Sequence, residues 1–271
     1  MTDNSAFFTL KNGELVPAPQ ARSPWSADML HGRLLGGLAA RAIEAEHGDP
    51  DFHFARLTID LFRNSPLLPL SVETTRIREG RRIRVVDATV RTEQGAVARA
   101  GAVLLRRSEP PAGEVWSTPA WDAPTPAELG PPPPDTLSLP FDLWRLTDWD
   151  EGGSNRAWVR ETHPLVEGET MSPFVRVALA ADFASPLSNS GTAGLHYINA
   201  DYTLALSRLP VGDEVGMESS GHLSDAGIAT GQCALHDTAG PIGYCLVTAL
   251  VNPGSVLGRQ VAGDQRGSRP R

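Results

Sequence analysis

The sequence has no apolar run long enough to span a bilayer, no basic segment leading into an apolar one at its N-terminus, and only two cysteines, Cys233 and Cys245. The first absence argues against a membrane partner, and the second, with the scarcity of cysteine, points to a cytoplasmic protein. In a reducing compartment the two thiols read as small buried apolar groups rather than as a disulfide. GxSxG and HExxH patterns are also missing, as is any other metal-ligand spacing, so a serine-nucleophile or zinc route has no support and no cofactor is expected. Positive charge is in deficit, with a net of −8, which argues against nucleic acid as a partner.

What charge there is divides unevenly. Residues 1–107 carry 15 basic and 12 acidic side chains, and the remainder carries 9 and 20. Nine arginines fall within residues 76–107. They read first as a solvated sheet face, and second as a landing surface for phosphate, which arginine matches bidentately.

With 271 residues, 41% of them hydrophobic, the chain can bury one large core or two ordinary ones. The punctuation favours two. Residues 108–140, "SEPPAGEVWSTPAWDAPTPAELGPPPPDTLSLP", include a four-proline run that fits neither a helix interior nor a central strand, and act as a semi-rigid connector. On either side the chain repeats itself. "RLLGGLAARAIEAEHGDPDFHFARLTIDLFR" (33–63) lies without a gap over "FVRVALAADFASPLSNSGTAGLHYINADYTL" (174–204), placing Asp60 on Asp201. Residues 80–105 then lie over residues 225–250, placing Gly95 on Gly240 and Leu105 on Leu250. Each copy reads as a helix followed by strands that close in a hairpin.

The periodicity predicts helices over 32–47 and 173–184, and strands over 53–63, 70–78, 81–92 and 96–106, then over 194–206, 213–223, 226–236 and 241–251. A further strand should precede each helix, within residues 7–16 and 141–161. The domains are then 1–107, a linker at 108–140, 141–251, and a loose tail at 252–271. The fold class is α+β, with each antiparallel sheet wrapped around an apolar helix.

One residue breaks the pattern. In "PFVRVALAADFASPL" the buried stripe of Val175, Ala178 and Leu179 continues to Asp182, a carboxylate where a greasy side chain belongs. The equivalent position in the first copy is Arg41, so a duplicated chain would carry one such site. An ion pair with Arg41 or Arg176 is the competing explanation.

With "MLHGRLLGGLAARAIEAE", "RLTIDLFR", "ALAADF" and "INADYTLALSR", the chain resembles the double-hotdog acyl-CoA thioesterases of the TesB-like type II family. The resemblance implies hydrolysis of acyl-CoA to free acid and CoA, without metal or redox cofactor, in a homo-oligomer. It implies a site in which Asp182 is the base, Asn199 stands where the family has Thr, and Thr248 stands where the family has Gln. Donors for the developing oxyanion would come from a helix N-terminus, at residues 30–33 or 172–174, so His31, Gly32 and Phe174 join the substrate-binding candidates. The acyl chain would run between the two helices, and arginines would hold the CoA phosphates.

Other residues have plainer readings: Asp201 as structural, His236 and Asp237 as part of a turn, and Trp116, Trp121 and Trp144 as pins for the linker. Two rival functions remain. A non-catalytic acyl-CoA binder tolerates the changes at Asn199 and Thr248, whereas an enoyl-CoA hydratase needs a closely spaced Asp and His on one loop, which the sequence lacks.

Overall fold

The computed structural model describes residues 5–26, 28–133, 139–149 and 153–253. Strands β1 (Phe8–Lys11) and β2 (Glu14–Pro17) precede helix α1 (Gly32–His47), which is followed by β3 (Phe52–Leu61), β4 (Ser71–Glu79), β5 (Ile83–Thr92) and β6 (Gly95–Arg106). After the short α2 (Pro126–Leu129) come β7 (Phe141–Arg145), β8 (Arg156–Glu161), α3 (Pro173–Ala181) and α4 (Ala184–Asn189). The chain then runs through β9 (Ser190–Gly191), β10 (Gly194–Leu195), β11 (Tyr197–Asn199) and β12 (Asp201–Leu206) to β13 (Glu214–Asp225), β14 (Ile228–Asp237) and β15 (Gly240–Val251). Gly95 (φ +112°) and Gly240 (φ +121°) turn the β5–β6 and β14–β15 hairpins in a conformation that disfavours any side chain. They are the pair that the internal repeat equates.

One antiparallel sheet runs in the order β4-β5-β6-β3-β12-β15-β14-β13-β8-β7, with β11 added alongside β15. The two copies join at β3 and β12, where Asp60 lies opposite Asp201 and Leu57 opposite Leu204. Because the repeat also equates Asp60 with Asp201, this register is the one that a two-fold axis through the pair requires. The expected double hotdog is thus present, its inner edges covered by each other.

The two helices lie antiparallel inside the sheet. Arg41, late in α1, holds Glu169 at 2.5 Å, and Glu44 accepts from Ser172, the N-cap of α3. The C-terminal end of α1 therefore meets the start of α3, and the start of α1 meets the end of α3. Small residues permit the close crossing. A Cβ on Gly37 would come within 2.9 Å of Leu179 Cγ, and one on Gly36 would overlap the Tyr202 hydroxyl and approach its Cζ to 2.9 Å. Leu179 thus fills the space between the helices that the sequence reserved for an acyl chain. Gly36→Ala overpacks this crossing and should cost about 1–3 kcal/mol in denaturant melts. Adding Tyr202→Phe should recover part of that loss, because the overlapping oxygen is gone.

The structure corrects several boundaries. The helix expected over 173–184 stops at Ala181 and restarts at Ala184. Pro186 explains the break, since its ring collides with the carbonyl of residue 182 in a continuous helix and it has no N–H to donate. Strand 194–206 is three pieces, interrupted at His196 and at Ala200. The expected first strand of the N-terminal copy is the β1–β2 hairpin, closed by Asn12-Gly13, both at positive φ. Two isolated bridges hold that hairpin, Leu15 with Leu70 and Phe8 with Val166, and Phe7 and Phe8 donate across to Pro164 and Leu165 of the other copy.

The linker lies against the C-terminal sheet. Trp121 packs on Trp158 and stacks on His236, with centroids 5.2 and 4.6 Å away, and Trp158 donates to Pro124 O. Trp144 belongs to β7 and donates to Gly130 O, whereas Trp116 is exposed and pins nothing. Linker residues 134–138, and the expected tail from 254 onward, lie outside the described residues.

Candidate active site

The break between α3 and α4 delivers Asp182. As C-cap of α3 it keeps helical backbone angles (φ −59°, ψ −27°), the residue is 8% exposed, and its carboxylate accepts from Asn199 Nδ2 at 2.8 Å. Both expected ion-pair partners are engaged elsewhere: Arg41 with Glu169, and Arg176 with Asp213 at 2.9 Å. The break is held by the sheet beneath it. Tyr202 donates to Ala178 O at 2.8 Å, Cys245 to Ala181 O at 3.4 Å and Cys233 to Ala184 O at 3.7 Å, so carbonyls freed by the interruption are received by β12, β15 and β14. Cys233 and Cys245 are free, buried and opposite one another.

Two cavities meet at this carboxylate. The larger, about 290 Å³, runs from Asp182 along α4, β7 and β8, and its wall includes Phe141, Leu143, Trp149, Val159, Phe183 and Leu195. The smaller, about 210 Å³, runs toward the N-terminal copy past Gly32, Leu35, Leu61, Ile198 and Arg63. Asp182, Asn199, His31 and Trp25 line both. A ligand occupying both cavities would therefore pass the carboxylate at the waist.

The start of α1 contributes to the same walls, through His31 in both cavities and Gly32 in the smaller. His31 is the N-cap of α1, but the imidazole caps nothing; the backbone N–H of His31 donates to Ala21 O at 2.9 Å. Among the described residues the first-turn N–H groups of Gly32 and Arg33 have no acceptor, which is the usual state of a helix N-terminus and suits an anion. The second proposed source of donors is displaced. Residues 172–174 lie a full α3 away from Asp182, about 14 Å at 1.5 Å per residue. Ser172 Oγ already caps the Val175 N–H, and Phe174 is a core residue stacked on Phe54 at 4.1 Å.

Thr248 is also elsewhere. Alternation along β15 turns Cys245, Val247 and Ala249 inward, so Thr248 faces the outer side of the sheet. There its Oγ1 donates to Asp201 Oδ2 at 2.6 Å and its N–H to Asp201 Oδ1 at 2.8 Å. The structure thus brings together Asp182, Asn199, His31 and Gly32, and does not bring in Thr248 or Phe174. Asp237 accepts from Arg208, Val211 N and Ala239 N, which is a turn-stabilising role.

The electrostatics of the waist are set by burial. Desolvation raises the Asp182 pKa above the usual carboxylate range, partly offset by the Asn199 hydrogen bond and by the nearby Arg33 guanidinium. Burial, reinforced by Arg33, pulls His31 down to about 3, so its ring is neutral across the ordinary pH range and can offer one N–H. Sequence reasoning missed Arg33 and Glu161, which form an ion pair in the wall of the larger cavity. Nothing in the local pattern links residues 128 positions apart.

The arginines of residues 76–107 are largely paired on the sheet, including Arg84 with Asp49, Arg99 with Asp87 and Arg106 with Asp51. Among the described residues none of these arginines lines either cavity; Arg63 does. No described group of His, Cys, Asp and Glu is arranged to hold a metal ion, and no described helix is long and apolar enough to cross a membrane.

Comparison with known families places this geometry. Residues 21–105 match the acyl-CoA thioesterase N-terminal domain, and residues 109–251 match the acyl-CoA thioesterase C-terminal domain. The chain belongs to the acyl-CoA thioesterase family. Among solved structures it is similar to the TesB protein of Mycobacterium avium subsp. paratuberculosis, at 15% identity and a TM-score of 0.66, over 89% of this chain and 93% of that one. An acyl-CoA thioesterase II, TesB2, from Mycobacterium marinum gives 15% identity and a TM-score of 0.61, over 81% and 90% of the two chains. A hot dog fold protein of unknown function from Alicyclobacillus acidocaldarius gives 12% and 0.68, over 93% and 98%. At these identities the likeness shows the fold. No curated protein matches the sequence.

Proposed function

We propose that this thioesterase-family chain hydrolyses acyl-CoA thioesters to a carboxylic acid and CoA, at the waist where the two cavities meet. The observation that carries the reading is a buried carboxylate, Asp182, held by Asn199 at 2.8 Å in the wall of a cavity that His31 and Gly32, at the open first turn of α1, also line. Asn199 spends its amide N–H on Asp182, which leaves its carbonyl oxygen as an acceptor beside the second carboxylate oxygen. A water donating one hydrogen to each presents its lone pair to the thioester carbonyl carbon. As the C–O bond forms, Asp182 takes a proton. The carbonyl oxygen, now an oxyanion, is met by the N–H groups of Gly32 and Arg33 and by the neutral His31 ring. Collapse of the tetrahedral species breaks the C–S bond, and the proton on Asp182 returns to the thiolate or to solvent.

The larger, aromatic-walled cavity suits the acyl chain. The smaller one, with Arg63 in its lining, suits the pantetheine arm leading to the phosphates. Incubation with a panel of acyl-CoAs, with free thiol as the readout, tests the assignment. Thiol release that depends on Asp182 supports it; tight retention of intact acyl-CoA without release would instead support the non-catalytic binder.

A pH profile supplies a second check. Asp182 must be ionised to act as base and its pKa is raised, so kcat/KM should rise with pH along a limb that lies above the ordinary carboxylate range. His31 is already neutral above about 3 and contributes no limb there. A profile flat down to the ordinary carboxylate range would argue against Asp182 as the base.

A further inference from the structure

Asp182 sits in a gap between two helices, where its backbone lacks the support of an unbroken ladder. Ser185, whose N–H would reach Ala181 O in a continuous helix, donates to Asp182 O at 3.1 Å instead. Ala181 O accepts from Cys245 Sγ at 3.4 Å, and the other contact of that thiol, with Leu246 O, is longer at 3.9 Å. Ala178 O, one turn before Asp182, accepts from the Tyr202 hydroxyl at 2.8 Å. The bond from Cys245 acts closest to the carboxylate. The carbonyl it holds belongs to the planar peptide unit whose nitrogen is that of Asp182, so fixing its oxygen fixes the direction in which the chain enters the residue.

The internal repeat supplies the control. The positions equivalent to Tyr202, Cys233 and Cys245 in the first copy are Leu61, Ala88 and Ala100, none of which carries a side-chain donor. There the helix runs unbroken from Gly32 to His47, through Arg41, the equivalent of Asp182. Donors at these positions thus accompany the carboxylate and are absent where it is absent. Tyr202 and Cys245 are fully buried, and neither lines either cavity. Burial, with the Asp182 carboxylate adding to it, raises the pKa of each well above its ordinary value, so both keep their hydrogens to donate.

We infer that Cys245 and Tyr202 are positioning residues, which keep the Asp182 carboxylate on Asn199 by holding the carbonyls of Ala181 and Ala178. This rests on the acyl-CoA reading given above and adds to it two residues that touch no substrate. Without that hold the carboxylate drifts from Asn199 and loses a hydrogen bond that lowers its pKa.

Two readouts on the full chain test this. In the first, Cys245→Ala should lower kcat for acyl-CoA by about ten- to a hundredfold with KM little changed, as a small misplacement of a reacting group does. Its acid limb in kcat/KM should move to higher pH. Cys245→Ser, which keeps a donor on the same Cβ, should recover most of the rate and return the limb. The second readout needs no turnover. The stability deficit of the protein with Asp182 against Asp182→Asn grows as pH rises above the unfolded carboxylate pKa and levels off at the folded one, so urea melts across pH report where Asp182 titrates. In a Cys245→Ala background that levelling should come at higher pH. The charged and titratable side chains that line the two cavities with Asp182 are His31, Arg33, Arg63, Arg145, Glu161 and Tyr197, all retained in these variants, and the one other carboxylate among them, Glu161, is held by Arg33. Normal kcat and an unmoved limb in Cys245→Ala, or equal losses in Cys245→Ala and Cys245→Ser, would overturn the inference. If Cys245→Ala does not fold, Tyr202→Phe, which keeps the ring, must show the same fall in kcat and the same shift, and ordinary values there overturn it. Absence of thiol release from the unaltered protein would instead overturn the hydrolase reading, while the titration of Asp182 read from stability still decides whether Cys245 and Tyr202 position it.

Discussion

Asp182→Asn should lower acyl-CoA turnover by about 10²- to 10⁴-fold, the span that a positioned general base supplies, while raising rather than lowering the melting temperature. The amide keeps the shape of the carboxyl and can still accept from Asn199 through its oxygen, but it takes no proton from water. The stability effect follows from burial. A folded pKa raised above the unfolded one means that the contribution of Asp182 to stability is present below the unfolded pKa and lost as pH rises through the folded pKa. At neutral pH the ionised, desolvated carboxylate therefore costs stability, and a neutral amide removes that cost. A structural ion pair would give the opposite pattern, a less stable protein with turnover intact. The partners required for that alternative, Arg41 and Arg176, are bound to Glu169 and Asp213. Turnover and melting temperature measured on one preparation distinguish the two, and unaltered thiol release from the variant would remove Asp182 from the mechanism.

The parts of this molecule that were legible in the sequence are those written in short-range pattern. The helix of residues 32–47, the hairpins turned at Gly95 and Gly240, and the two-copy organisation follow from periodicity, from glycine at positive φ and from a constant offset between copies. Asp182 was legible because a carboxylate in an apolar stripe is costly. Thr248 was not, because β15 is apolar on both faces: Tyr244, Leu246 and Leu250 lie outside and Cys245, Val247 and Ala249 inside, so alternation could not say which way the threonine points. Phe174 was misplaced for a related reason. A helix N-terminus is visible in sequence, but which end of a neighbouring helix it faces is set by packing, here by Gly36 and Gly37 receiving Tyr202 and Leu179. The β1–β2 hairpin carried its signal openly in Asn12-Gly13, where one strand over residues 7–16 was expected. Contacts such as Arg33 with Glu161 join separate copies and leave no local trace.

Breaking that pair should have the largest effect on stability. Arg33→Met strands a Glu161 carboxylate with 2% of its side chain exposed, and removal of one partner of a buried pair costs about 3–5 kcal/mol. Glu161→Leu should cost a similar amount by stranding the guanidinium. The double variant should be more stable than either single one, because methionine can pack between Phe7 and Phe141 and no buried charge is left uncompensated. Urea melts of the four proteins form the cycle that isolates this coupling; simple additivity of the two losses would mean that the residues do not act as a charge pair. The same double variant separates structure from electrostatics at the site. Arg33 is among the influences that hold the Asp182 pKa down and push the His31 pKa down, and the repaired core no longer contains that cation. A refolded double variant should therefore show the acid limb of kcat/KM displaced to higher pH, whereas a purely structural role for the pair predicts a limb that stays in place once folding is restored.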